Sequence, residues 1–138
     1  MVLQRMSAPT LFFLDAGLDN MTAPFRSGKV MSISPGQSPR VLVEHQKLPD
    51  GIGILENRIY WTNMGTPGKH DGSVKSSRHD GSDMQTIVPE GAVHTPKQIV
   101  VEPRARKLYF CDREGLRICK CSLDGQSRTM QYLANFTS

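Results

Sequence analysis

Two stretches of this 138-residue chain gather side chains able to do chemistry. The first, KHDGSVKSSRHDGSD at residues 69–83, spells HDGS twice and offers His70, Asp71, His79 and Asp80. Imidazole and carboxylate groups suit zinc or another transition metal, whose sites take three or four protein ligands, and a His/Asp pair can also serve as acid and base. The second is Cys111, Cys119 and Cys121. Cys119 and Cys121 lie two apart on one expected strand and face the same side; with Cys111 on the neighbouring strand and one histidine they could form a zinc site. Structural zinc cysteines usually come in CxxC knuckles, so the expected role is that of small buried hydrophobes, with an odd, reduced set of thiols. No Ser/His/Asp order, GxSxG elbow, phosphate-binding Walker loop or dinucleotide fingerprint appears.

The elements that must position these groups follow from an internal repeat. LFFLDAG (11–17), IYWTNMG (59–65) and LYFCDREG (108–115) begin 48 and 49 residues apart. Each opens on an aliphatic residue and two aromatics and carries an acid or amide at its fifth position, Asp15, Asn63 or Asp112. Such runs read as strands closed by polar turns. Downstream of each, a strand starts near Val30, Val74 or Ile118, crosses a turn at Gly36, Gly81 or Gly125, and returns to end near Val43, Val88 or Leu133. These are hairpins, whose glycines supply positive φ and whose Asp80 and Asp124 bond local N–H groups. Upstream, LPDGIGIL and TPKQIVVE place a proline before a short apolar strand, and the spacing repeats from Val2 in the first unit. Units 2–46, 48–91 and 95–133 thus hold four strands each. Four short strands every 40 to 50 residues predict an all-β fold of about three β-propeller blades, and no helical periodicity competes.

The repeat reassigns the doubled HDGS. Asp80 takes the turn position of Asp124, and His79 that of Leu123. If Gly72 to Ser77 forms the connecting strand, the two copies lie at its opposite ends, roughly 20 Å apart, and do not share an ion. His70 and Asp71 remain as unmatched loop residues, so any chemistry here is to be sought on them. Tyr60, Trp61, Tyr109 and Phe110 alternate faces on strands and are expected to pack between sheets, because successive rings point in opposite directions and make no stacking platform.

IYWTN at 59–63, followed by SRHDGSDMQTIV at 77–88, resembles the YWTD repeat, the class B repeat of the low-density lipoprotein receptor family; SLDGQSR at 122–128 matches its LDGS turn. The likeness runs over residues 11–133 and is weakest in the first unit. It implies blades of a six-bladed propeller, a fold used in those receptors for binding proteins without catalysis. Three units are half of such a ring, which motivates a homodimer closing six blades head to tail. Two residues depart from the family pattern: Asn63 replaces its aspartate and Cys111 its threonine.

The composition, 38% hydrophobic and 22% charged with 12 Gly and 9 Pro, is that of a soluble strand-and-turn protein. The formal charge of +4 is scattered over 17 basic residues with no stripe, which gives no support to a nucleic-acid partner. The apolar run Leu11–Leu14 is too short for a signal peptide or membrane span, so a cytoplasmic protein with no membrane contact is expected. The sequence reading is therefore a non-catalytic binding or scaffold module, with a protein or small organic molecule as partner and no metal or cofactor. The alternatives are an enzyme of small-molecule metabolism, resembling six-bladed lactonases or strictosidine-synthase-like propellers, and a truncated fragment without independent function. An enzyme would use groups at the axial channel mouth, for which the candidates are Asp50, Asn63, His94 and Asp112, with Glu102 beside them.

Overall fold

A computed structural model describes residues 8–132. β1 (Leu11–Asp15), β2 (Gly28–Ile33) and β3 (Arg40–Gln46) form one sheet. β4 (Pro49–Leu55), β5 (Arg58–Asn63), β6 (Gly72–Arg78) and β7 (Gln85–Val93) form the second; β8 (Pro96–Glu102), β9 (Lys107–Asp112), β10 (Arg117–Ser122) and β11 (Arg128–Tyr132) form the third. Every pairing is antiparallel between strands consecutive in sequence, as short polar links require. The leading strand expected from Val2 and the strand end expected at Leu133 lie outside the described residues. No helix among the described residues is long and apolar enough to cross a membrane.

The middle sheet is covered on both faces, so β5 is buried at every position from Ile59 to Asn63. Its residues still alternate. Ile59 and Trp61 turn toward the first sheet, where they meet Val30, Phe12 and Leu14. Tyr60 turns toward the third, joining Leu108, Phe110, Cys119 and Cys121. Two seams result, each filled from both sides.

Backbone approach tightens both seams. On β4, a Cβ added at Gly51 would stand 2.8 Å from Ile99 N, and one at Gly53 would stand 2.6 Å from a Val101 methyl, so the inner strands β4 and β8 touch through missing side chains. Thr62 ties the same seam: its hydroxyl donates to Lys97 O (2.7 Å) and accepts from Gly51 N (2.9 Å).

The hairpin turns complete the pattern. Gly36, Gly81 and Gly125 all have positive φ (74°, 86° and 76°), and Asp80 and Asp124 accept the N–H groups of Ser82 and Gln126 at 3.0 Å. Two of these glycines do a second job. A Cβ on Gly81 would lie 2.9 Å from the carbonyl carbon of Leu42 on β3 and closer still to its oxygen; one on Gly125 would lie 2.8 Å from that of Ile87 on β7, again closer to the oxygen. Each turn is therefore pressed onto the outer strand of the preceding sheet. Gly36 has nothing within 4 Å, because no sheet precedes the first among the described residues.

Candidate functional site

The polar residue that ends each aromatic strand is set by the residue paired with it across the hairpin. Asp15 pairs with Lys29, Asn63 with Ser73, and Asp112 with Arg117. In the third sheet Asp112 has no exposed surface and is surrounded by donors. It accepts Thr95 N (2.7 Å), His94 N (3.0 Å) and the Arg117 guanidinium (2.5 and 3.2 Å). Burial opposes its ionisation, but these N–H groups and the guanidinium outweigh it and hold the carboxyl below its ordinary value. In the second sheet the residue across the hairpin is the uncharged Ser73, and the basic side chains nearest the position, Arg26, Lys47 and Lys75, line a small cavity beside it. A carboxylate there would lack the cross-strand cation that Arg117 gives Asp112, which accounts for an amide. Asn63 donates to Gln46 Oε1 (2.9 Å) and Ser73 Oγ (3.3 Å), and its Oδ1 is buried without a partner. Gln46 also accepts the Trp61 indole N–H at 3.0 Å, which orients the whole group.

The other sequence candidates are scattered. His94 contributes its backbone N–H to Asp112; its ring bonds Thr95 Oγ1 (2.9 Å) and lies 4.9 Å from the exposed His70 ring. Asp50 pairs with Lys97 at 3.7 Å, and Glu102 accepts Arg104 N. Thus His70, His94 and Asp112 adjoin, while Asp50 and Asn63 keep separate partners.

Asp71 differs from its sequence reading. The repeat assigns it no structural task, yet it accepts Thr66 N (2.7 Å), Thr66 Oγ1 (2.8 Å) and Lys47 Nζ (3.1 Å). Desolvation raises its pKa, and these donors more than reverse that, leaving it lowered. Lys47 joins it to Glu90 at 2.9 Å. The first HDGS copy is thus a clamp on the loop after β5. The second copy stands at the far end of β6, its His79 ring 4.9 Å from Phe12.

The cysteines divide between two faces of one sheet. Cys119 and Cys121 are buried toward the second sheet, where desolvation pushes both thiols up to about 11, and Cys111 is exposed on the opposite face. No group of three or more His, Cys, Asp and Glu residues able to hold a metal occurs among the described residues.

What stays uncovered is apolar. The first sheet's outer face shows Leu11 (61% exposed), Phe13, Met31 and Val41 (45%). The third sheet's outer face shows Val100 (62%), Ile118 (43%) and Tyr109, with the Lys120 ammonium 5.9 Å from the Tyr109 ring. Positions 98 and 100, where the second sheet has its close-contact glycines, hold Gln and Val.

No protein-family model matches the sequence. The chain is 43% identical over 122 residues to "3-hydroxyacyl-CoA dehydrogenase-like protein LAM1" of Cochliobolus heterostrophus, covering 86% of this chain and 26% of that protein. It is 41% identical over 122 residues to "Low-density lipoprotein receptor-related protein 1" of Pyricularia oryzae, covering 83% and 39%. The solved nidogen/laminin complex superposes with a TM-score of 0.64 at 21% identity, covering 77% of this chain and 40% of the matched one. The chain carries YWTD-type propeller repeats. The tricorn protease superposes equally well, TM-score 0.65 at 16% identity over 94% of this chain and 12% of its own, and shows the propeller fold alone. As YWTD-type blades, the three sheets put the fifth-position residue, Asp15, Asn63 or Asp112, at the same strand end. Its cross-strand partner Arg117 is legible from the hairpin spacing. Gln46 and Lys47 carry no such signal, since they come from another strand and its exit, and Thr66 none, since its loop is unmatched in the repeat.

Proposed function

We propose that the chain is a non-catalytic binding module of YWTD-propeller type whose partner is a protein. One contrast supports this reading most: the groups suited to chemistry are occupied in holding blades together, while two broad sheet faces stand uncovered. Asp112 and Asp71 spend their lone pairs on N–H, O–H and cationic donors of the chain itself. Apolar side chains grouped and exposed on a sheet face, as Leu11 and Val41 or Val100 and Ile118 are, favour an interaction surface. That a related fold occurs in a nidogen/laminin complex adds support for a protein partner. The name of the Cochliobolus relative speaks of a dehydrogenase, but this chain matches 26% of that protein and carries no dinucleotide fingerprint. Unpaired Cys111, Cys119 and Cys121 support a reducing, cytoplasmic setting.

The occupant proposed for the first sheet's face is a second copy of the chain, blade one of each seated on blade three of the other, closing six blades. The first blade's turn at Gly36 has the room that the turns at Gly81 and Gly125 have filled. With Gln98 and Val100 in place of glycines, the closing seam packs through side chains near the axis instead of backbone. Sedimentation velocity at micromolar concentration tests this. The expected result is the mass of two chains, reduced to one by Phe13→Asp; a compact monomer at every concentration overturns it.

A further inference from the structure

At one end of the seam between the first two blades lies a cavity of about 490 Å³, within the usual range of roughly 300–1,000 Å³ for small-molecule sites. Its floor is a cross-strand row: Phe12 on β1, Ser32 on β2 and Arg40 on β3 stand side by side. Ser34, bonded to the Thr10 hydroxyl at 2.9 Å, extends the row. His79 and Asp80 of the second blade form the facing wall.

The second blade shows what fills the equivalent place. There the Arg58 guanidinium donates to Ser76 Oγ (2.9 and 3.2 Å) and to Asp83 Oδ2 and O (2.8 Å each). The strand register maps Arg58 onto Thr10 and Ser76 onto Ser32, and the turn maps Asp83 onto Ser38. Threonine is too short to take the guanidinium's place, so among the described residues the space is open. Ser32 is only 7% exposed and its hydroxyl has no hydrogen-bond partner among the described residues. Arg40 likewise has no ion-pair partner there. The Ser32 hydroxyl lines the cavity and is open to a hydrogen bond from water or a ligand.

We propose that this cavity binds a saccharide unit. Its walls mix hydroxyls, an arginine and a carboxylate around one aromatic face, and a polyol supplies groups that both donate and accept at each. A simple inorganic anion would meet Arg40 but also Asp80. An apolar guest would leave Ser32 without a partner. Phe12, with the His79 ring 4.9 Å away, adds an apolar surface for the C–H side of a sugar.

The test is a titration of the ¹⁵N-labelled whole chain, observed by amide NMR, with glucose, N-acetylglucosamine and glucuronate at millimolar concentration. The expected result is saturable shifts at Ser32, Ser34, Arg40 and His79 with at least one sugar. Ser32→Ala and Arg40→Leu should each weaken that binding about tenfold, the equivalent of one lost hydrogen bond, while leaving the remaining spectrum unchanged. Preference for glucuronate over glucose would assign Arg40 to charge recognition. Absence of shifts at these amides with all three sugars, or shifts that both variants leave unaltered, overturns the proposal.

Discussion

Replacing the three hairpin glycines by alanine separates two effects that the sequence merges. Gly36, Gly81 and Gly125 have nearly the same backbone conformation, φ 74°, 86° and 76°. Alanine in the left-handed region costs about 1–2 kcal/mol at each. At Gly36 nothing further is added, since a Cβ there meets open space. At Gly81 and Gly125 the new methyl meets the carbonyl groups of Leu42 and Ile87, with 2.9 and 2.8 Å to the carbonyl carbons. Neither obstacle is a flexible side chain, so a strand must move, and overpacking of this type costs typically 1–3 kcal/mol more. The expected losses are therefore about 1–2 kcal/mol for Gly36→Ala and about 2–5 kcal/mol for the other two. Urea unfolding followed by tryptophan fluorescence, with stability extrapolated to water, reads the difference, and Trp61 is the sole reporter. In a monomeric sample, equal losses at all three positions would refute the assignment of Gly81 and Gly125 as blade contacts. A loss at Gly36 that reaches the other two only in a dimeric sample would place a neighbouring blade against that turn.

Further outcomes are expected from the strand-end pairs and the thiols. Asn63→Asp, which buries a carboxylate opposite Ser73 with no cross-strand cation, should cost about 3 kcal/mol. Adding Ser73→Arg, as in the Asp112–Arg117 pair, should recover at least half in a double-mutant cycle; a neutral single variant would contradict the pairing rule. Asp112→Asn should cost about 3 kcal/mol in urea unfolding, because it strips the carboxylate charge from a buried ion pair. Asp112 and Asp71 have lowered pKa values in the folded chain, so the unfolded chain takes up protons first on acidification. Their contribution is complete above the ordinary carboxylate pKa of about 3.9 and is lost as pH falls through the folded values, with no change due to them between about pH 5 and 8; thermal melts across that range check it. Cys111 should react with iodoacetamide in the native protein while Cys119 and Cys121, raised to about 11 by burial, react only on unfolding, as mass spectrometry of labelled peptides would show.

The sequence by itself determined the repeat, the four-strand pattern of the second and third units and the hairpins. These depend on local rules: period-two placement, proline at strand starts, glycine and aspartate at turns. It also determined that Tyr60 and Trp61 point to opposite sheets, since alternation on a strand needs no partner to be known. Tertiary structure alone decided what those residues meet. Gly81 and Gly125 look like turn residues in sequence and prove to be contact points with Leu42 and Ile87, forty residues away in chain terms, whereas Gly36 is a turn residue only. Asp71 reads as free because Lys47 lies on another segment and the loop that holds Thr66 and Asp71 has no counterpart in the repeat. Asn63 looked like a departure from the repeat until the register set Ser73 opposite it, where the third blade has Arg117. The division has one physical reason: backbone geometry is written in neighbouring letters, while the partner of a buried charge or a missing Cβ is fixed by how one blade lies on the next.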